Sequence, residues 1–225
     1  MRQQGILFIA IAANMVASYM AYVAAPAEQG MGDLYRILFI HVPVAWIGYL
    51  AFTISVIASI LFLTTRNIAF DTTAEVSAIL GLVYGVAALI SGSIWANATW
   101  GTYWNWDPRE TTTLILWIAY LGYISIKHSI FSPEKKAVSG AIYNILAFST
   151  VPLSYFSIQL VPTLHPQIVT FSGFSMNASM VAALLLNIVA ASILFIYLLT
   201  TISRIWQLER RIDELLYDNE PEGGA

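Results

Sequence analysis

The chain has 225 residues, of which 58% are hydrophobic and only 10% are charged, and its mean hydropathy is +0.71. Soluble domains carry about 25% charged residues, so the composition excludes an ordinary soluble fold and indicates an integral membrane protein. The net charge is −3 and no basic run occurs, which argues against nucleic acid as a partner. Cysteine is absent, so the chain itself supplies no thiolate, iron–sulfur ligand or internal disulfide.

Uncharged segments long enough to cross a membrane at about 20 residues each dominate the chain. In order they are Gly5–Ala24, Val42–Thr65, Val76–Ala96, Thr111–Ile130, Val138–Leu160 and Met180–Ser203. The first has the length of a span, so we interpret it as a transmembrane helix rather than a cleaved signal peptide. Pro43 is expected in the first turn of the second helix and Pro152 is expected to kink the fifth. The sequence therefore predicts an all-α membrane protein, a six-transmembrane-helix bundle.

The distribution of basic residues predicts the orientation of this bundle. Eight of the ten Lys and Arg residues flank one set of segments, which includes both termini, and only Arg36 and Arg109 flank the other. The positive-inside rule therefore places both termini in the cytoplasm. Lys127, at the end of the fourth helix, is expected to snorkel to the interface. Because the six spans contain almost no ionisable residues, a transporter acting in its own right is not favoured.

The residues after the sixth helix differ in character from the rest. We predict a membrane domain over residues 1–203 and a cytoplasmic amphipathic extension with an acidic tail over residues 204–225. Apolar residues share one stripe of the extension, namely Ile205, Leu208, Ile212 and Leu215. The stripe would lie on lipid head groups or dock a cytoplasmic partner, and both interpretations stay open. The tail from Asp218 onward is expected to be disordered.

The outward connection between the third and fourth helices is unusually aromatic. Trp95–Thr113 reads WANATWGTYWNWDPRETTT and holds four of the seven tryptophans of the chain. Its candidate binding residues are Trp95, Trp100, Gly101, Tyr103, Trp104, Trp106 and Asp107. Since Trp and Tyr also gather at membrane interfaces, an interfacial belt and a platform for a flat ligand both remain open. Asp107, Pro108 and Glu110 have the pattern of a helix start, at the N-cap, N1 and N3 positions.

Two of the three histidines are expected on the same outward face. His41 precedes the second predicted helix and His165 lies between the fifth and sixth, whereas His128 lies on the cytoplasmic side as an ordinary interfacial residue. Apolar surroundings favour the neutral imidazole, which is the form that coordinates metals. Two imidazoles are too few for a closed zinc site, but they are the number required at the axial positions of a haem.

Arg109 and Arg36 are the two outward basic residues. A guanidinium group beside a helix N-terminus is suited to binding carboxylates such as haem propionates. The alternative, that both arginines reach toward lipid head groups, stays open.

The run from Trp100 to Thr111, WGTYWNWDPRET, resembles the WWD signature of the haem-handling proteins of cytochrome c maturation. With its length, its six predicted helices and the His-Val-Pro context of His41, the chain is similar to the CcmC family of System I. The resemblance covers residues 1 to about 205 and leaves the C-terminal tail uncovered. The other WWD families, CcmF and CcsA, are expected to be larger, so the chain fits them poorly.

The resemblance implies a function and a set of partners. It implies that haem b is bound non-covalently at the periplasmic face of the bacterial inner membrane, with His41 and His165 as axial iron ligands and Trp100–Asp107 as the platform. It further implies covalent transfer of the haem to the chaperone CcmE, within a complex of CcmA, CcmB and CcmD-type subunits in membrane lipid. That role is haem transfer rather than conventional enzyme catalysis. A b-type haem redox subunit and a structural subunit of a haem export complex are the alternatives.

Overall fold

The computed structural model describes residues 2–170 and 173–218, and within them it is almost entirely helical. The elements in chain order are α1 (Arg2–Tyr19) with a π-helical turn (Met20–Ala24), a 3-10 helix (Asp33–Ile37), α2 (Leu38–Thr65), α3 (Ile68–Trp100), α4 (Pro108–Ser129), α5 (Pro133–Ala147), α6 (Thr150–Leu160), β1 (Val169–Thr170), β2 (Gly173–Phe174) and α7 (Ala178–Asp218). The two short strands pair as an antiparallel hairpin. The predicted helical class is confirmed, and the tail after Asp218 lies outside the described residues.

Helical stretches long and apolar enough to cross a membrane make the chain a multi-pass membrane protein. Among the described residues there are five: Gln3–Ala24, Asp33–Thr65, Ile68–Trp100, Pro133–Leu160 and Ala178–Leu216. The fourth predicted span corresponds to α4, which has 22 residues but is not among these five. Its composition explains this, because Arg109 and Glu110 open the helix and Lys127-His128 close it.

The helices α2 and α3 begin earlier than predicted. Asn67 caps α3 by accepting a hydrogen bond from the Ala69 amide (3.0 Å), and α3 therefore follows α2 after a two-residue link. The predicted start at Val76 is wrong because it excluded charged residues that the bundle in fact buries. At the other end of the hairpin, α2 begins at Leu38, so His41 lies inside the helix rather than before it. Pro43 accordingly lies beyond the first turn.

The fifth predicted helix is interrupted one turn before Pro152. It forms two helices, α5 and α6, separated at Phe148 and Ser149. Proline has no amide hydrogen, and its ring clashes with the carbonyl four residues earlier, which here is that of Phe148. That carbonyl instead accepts a hydrogen bond from the Val151 amide (2.9 Å). The predicted kink is confirmed as a break.

The centre of the bundle is the α2–α3 hairpin, against which α4, α5 and α7 pack, whereas α1 packs against α7. Phe52 of α2 stacks on Tyr120 of α4 with ring centroids 3.7 Å apart. A Cβ at Gly81 of α3 would lie only 2.6 Å from the Phe52 ring, so the glycine permits this close approach. This contact packs α2, α3 and α4 closely together at the centre of the bundle.

One end of the bundle buries a group of charges, which we call the ionic end. Lys127 of α4 is fully buried, and its Nζ lies 2.7 Å from Asp71 Oδ1 and 2.9 Å from Glu75 Oε2. His128 Nε2 lies 3.0 Å from Glu75 Oε1, and Arg210 Nη2 lies 4.0 Å from Asp71 Oδ2. The expectation that Lys127 snorkels is therefore wrong, because the lysine has two carboxylate partners inside the protein. Asp71 and Glu75 lie in α3 before the predicted third span, so the helices hold buried ionisable residues that the predicted spans did not include.

Candidate functional site

The opposite end of the bundle, which we call the aromatic end, carries His41, His165 and the tryptophan-rich connection. His41 of α2 lies against α3, where its Nδ1 is 3.1 Å from Ser91 Oγ. Ser91 donates its hydroxyl hydrogen to the Ala87 carbonyl (2.7 Å), so its oxygen is available to accept a hydrogen from His41 Nδ1. This arrangement leaves Nε2 of His41 as the unprotonated nitrogen that can bind a metal.

Gly92 provides the space for the His41 ring. A Cβ at this position would lie 2.9 Å from Cε1 of His41, a separation that packed carbon atoms do not adopt. Ser91 and Gly92 are therefore part of the site, although their sequence indicates only close helix packing. No local pattern could have revealed their role, because 50 residues separate Ser91 from His41.

His165 lies in the connection between α6 and α7, close to His41. The two ring centroids are 6.3 Å apart with an interplanar angle of 56°. Two metal–nitrogen bonds of about 2.0 Å each, with half of each ring added, would place two axial imidazoles about 6 Å apart. Desolvation lowers the pKa of His165 to about 3, with further lowering by Arg109 and His41 that Asp107 partly opposes. His165 is therefore neutral at physiological pH and able to coordinate a metal.

Trp95 and Trp100 lie beside the histidines. The Trp95 ring is buried at 3% exposure, with its centroid 6.3 Å from that of His165 and 5.2 Å from that of Trp100. Its Nε1 is a buried donor with no hydrogen-bond partner among the described residues. Such an unpaired donor is costly unless a ligand or water accepts from it. Gly101 ends α3 in the left-handed conformation (φ 76°), and its amide donates to the Asn97 carbonyl (3.0 Å).

Trp104 and Trp106 form a separate, outward pair. Their ring centroids are 5.8 Å apart and nearly perpendicular, and Trp106 is 72% exposed at a positive φ of 63°. Tyr103 is also exposed, and its carbonyl accepts a hydrogen bond from Ser93 Oγ (2.7 Å). In the described part of the chain, no ring contact joins this pair to either site histidine. The aromatic segment thus divides into an inner pair near the histidines and an outer rim.

Asp107 starts α4 as predicted, with Pro108 at N1. Its Oδ1 accepts the Arg109 amide (2.9 Å), while Glu110 Oε2 accepts the Asn105 amide (3.1 Å). Asp107 also contacts a distant segment, which the sequence did not predict. Its Oδ2 accepts hydrogen bonds from Thr163 Oγ1 (2.7 Å) and from the Leu164 amide (2.8 Å). One buried carboxylate therefore joins the start of α4 to the segment that carries His165.

Arg36 and Arg109 both have partners within the protein. Arg109 Nη1 donates to the carbonyls of Ser154 (2.6 Å) and Tyr155 (2.8 Å) in α6. Its guanidinium carbon lies 5.9 Å and 5.7 Å from the ring centroids of Tyr49 and Tyr155. Arg36 binds Asp33 through Nε (2.7 Å) and the Ala21 carbonyl through Nη1 (2.6 Å). Arg109 lies close enough to His165 to lower its pKa, and both arginines contribute to the packing of this end.

The ligand set fits a metal group that brings its own equatorial donors. No group of three or more His, Cys, Asp or Glu side chains with metal-binding geometry occurs among the residues that the structure describes. Two imidazoles with ring centroids 6.3 Å apart have instead the number and the approximate spacing of the protein ligands that a haem requires. The unpaired Trp95 donor adds a point at which a ligand could accept a hydrogen bond.

Comparison with known proteins identifies the family of the chain. The family model described as "CcmC: Heme exporter protein C" matches residues 2–217. A Heme exporter protein C of Bradyrhizobium diazoefficiens is 33% identical over 193 residues, which are 85% of this chain and 73% of that protein. A cytochrome c biosynthesis ccmC-like mitochondrial protein of Marchantia polymorpha is 32% identical over 172 residues, 76% of this chain and 73% of that protein. The Heme exporter protein C of Escherichia coli K12 is 29% identical over 141 residues, 63% of this chain and 58% of that protein. The chain therefore belongs to the CcmC family, Heme exporter protein C.

Proposed function

We propose that this protein binds haem at the aromatic end and passes it on during the assembly of c-type cytochromes. The observation that carries the proposal is the pairing of His41 and His165, with ring centroids 6.3 Å apart. The names of its relatives, which refer to haem export and cytochrome c biosynthesis, agree with it. Haem is the cargo here, and it supplies the reactivity of its iron and vinyl groups.

His41 and His165 are the proposed axial iron ligands. Ser91 orients the first through its Nδ1, and the segment after α6 presents the second. The chain has no cysteine, so it forms no thioether bonds to the porphyrin. We infer that the bound haem is non-covalent haem b, held by the two imidazoles and by contacts to its ring and propionates.

The aromatic residues would contact the porphyrin in two ways. Trp95 and Trp100 would cover the ring beside the histidines, where the indole of Trp95 offers its unpaired donor to a propionate. Arg109 would add positive potential at the same place, and Arg36 remains a candidate for a second propionate. The rim beyond Gly101, formed by the exposed Tyr103 and Trp106 and the half-buried Trp104, would meet the haem edge and the acceptor protein.

We further propose that the aromatic end faces the periplasm from the bacterial inner membrane. In that arrangement α4 is a sixth span, both termini are cytoplasmic, and α7 emerges from the membrane near residue 203 into a cytoplasmic extension. The support is the excess of Lys and Arg at the ionic end and at both termini. The acceptor is then the periplasmic haem chaperone CcmE, and CcmA, CcmB and CcmD-type subunits complete the complex.

The proposal is tested by substituting each proposed ligand, with substitution of a third histidine as the control. His41→Ala and His165→Ala variants are purified from haem-replete cells and their absorption spectra compared with wild type. We expect each to lose the low-spin bis-histidine spectrum, because each leaves the iron with one protein ligand. His128→Ala is the matched control, since His128 lies at the ionic end with half of its side chain exposed. A wild-type spectrum in both site variants would refute the proposed ligands.

A further inference from the structure

We propose that Asp107 and Thr163 are positioning residues for His165, and that their hydrogen bonds decide whether the iron keeps its second histidine ligand. The inference rests on the proposed function, since it concerns the same site. It assigns to the aspartate of the aromatic segment a task other than contact with the haem.

The backbone around His165 has no helix or strand to hold it. His165 lies between the end of α6 at Leu160 and the start of β1 at Val169. His41, by contrast, is fixed within α2 by helical hydrogen bonds and by its contacts with α3. The spacing between the two imidazoles therefore depends on whatever holds the His165 segment in place.

Asp107 holds that segment through a chain of hydrogen bonds. Thr163 Oγ1 donates to Asp107 Oδ2 (2.7 Å) and accepts the amide hydrogen of His165 (3.0 Å). The Leu164 amide donates to the same carboxylate oxygen (2.8 Å). Asp107 is 4% exposed, and hydrogen bonds that a buried carboxylate accepts are about twice as strong as neutral ones. The residues directly before His165 are thus tied to the first turn of α4.

Arg109 ties down the helix that precedes the segment. Its Nη1 binds the carbonyls of Ser154 and Tyr155 in α6, less than two turns before that helix ends. Asp107 and Arg109 belong to the same turn at the start of α4. Through their hydrogen bonds, this turn contacts both α6 and the His165 segment. Loss of the Asp107–Thr163 link should free His165 from its place while leaving the helices packed.

The variants separate positioning from folding. Thr163→Val removes the hydroxyl group while nearly keeping the side-chain shape, and it leaves Asp107 able to cap α4. Thr163→Ser keeps the hydroxyl group and serves as the conservative rescue. Asp107→Asn keeps only one acceptor oxygen, so either the Arg109 amide or the two donors of the His165 segment lose their acceptor. Glu110→Gln is the control, because Glu110 accepts from the Asn105 amide at the same helix start and, among the described residues, has no hydrogen bond to the His165 segment.

The readouts are the spectrum of the haem-loaded protein, its response to added imidazole, and the thermal unfolding of the haem-free protein. We expect Thr163→Val and Asp107→Asn to lose low-spin haem and to regain it when imidazole fills the vacated position. Thr163→Ser and Glu110→Gln should retain the wild-type spectrum. Haem-free Thr163→Val should unfold as a single transition close to that of Thr163→Ser.

The outcomes distinguish this inference from the proposed function. If His165→Ala loses the low-spin spectrum but Thr163→Val keeps it, the positioning role is wrong and the ligand assignment stands. If His165→Ala keeps the wild-type spectrum, the ligand assignment itself fails. If Thr163→Val loses the spectrum and imidazole does not restore it, the hydroxyl group supports the fold rather than His165, which also overturns the inference.

Discussion

Lys127 at the ionic end offers the sharpest test of the packing. The ammonium group is the shared partner of Asp71 and Glu75, which are 4% and 3% exposed. Lys127→Met keeps most of the side-chain volume, so its methylenes' contacts beside Gly140 are largely preserved and no large cavity forms. The substitution therefore tests charge rather than packing.

Removing one partner of a buried ion pair costs about 3–5 kcal/mol, because the other charge is left uncompensated. Here two carboxylates lose their nearest cation, which favours a large effect. His128 at 3.0 Å from Glu75 and Arg210 at 4.0 Å from Asp71 would compensate in part, although both are partly exposed. We therefore expect a loss of about 3 kcal/mol in the free energy of unfolding, at the lower end of that range.

The assay is reversible unfolding in mixed detergent micelles, with Lys135→Met as the control because Lys135 is exposed on the neighbouring helix. Adding Glu75→Gln to Lys127→Met should recover part of the loss, since it removes one uncompensated carboxylate. Equal stability of Lys127→Met and the control would refute the argument. A further loss on adding Glu75→Gln would show that the carboxylate has a favourable role that does not depend on the lysine.

Three further predictions concern the aromatic end. Gly92→Ala places a methyl carbon 2.9 Å from Cε1 of His41. The overpacking should destabilise the protein by about 1–3 kcal/mol, measured by unfolding. It should also reduce the fraction of low-spin haem, measured by absorption. His165 has a pKa of about 3 in the folded protein and about 6.5 when unfolded. Between these two pH values the unfolded state binds more protons than the folded state. The haem-free protein should therefore lose stability as the pH falls below about 6.5. The stability of a His165→Asn variant should depend less steeply on pH. A pH dependence identical to that of the wild type would show that the lowered pKa of His165 is not its source. The double variant Trp104→Phe and Trp106→Phe should keep bound haem but load the chaperone more slowly, whereas unchanged loading would favour an interfacial belt.

Local patterns in the sequence were sufficient for the helical class and for several boundaries. Hydrophobic length indicated the membrane helices, Pro152 indicated the break between α5 and α6, and Asp107-Pro108 indicated the start of α4. Each of these features depends on residues within about one helical turn, where backbone geometry and side-chain chemistry act directly.

The errors have a common physical origin in contacts between distant residues. The start of α3 was predicted too late because charged residues such as Asp71 and Glu75 are typical of loops in a membrane protein. Their pairing with Lys127 makes them compatible with a buried helix. The link between Asp107 and Thr163 spans 56 residues, and no periodicity or composition indicates it. Charged and polar groups are placed in a membrane protein by their partners, and a sequence does not show which partners will meet.

The two histidines of the candidate site are held in different ways, and the difference suits a protein that gives up its ligand. His41 belongs to a long helix and contacts α3 through Ser91 and Gly92, so the packing of two helices restricts its imidazole. His165 belongs to an irregular segment whose position depends on hydrogen bonds to Asp107. Breaking the few hydrogen bonds that hold an irregular segment costs less than separating packed helices. Under the proposed function, His41 would be the more firmly held of the two haem ligands, and His165 would be the ligand that the acceptor protein displaces more easily.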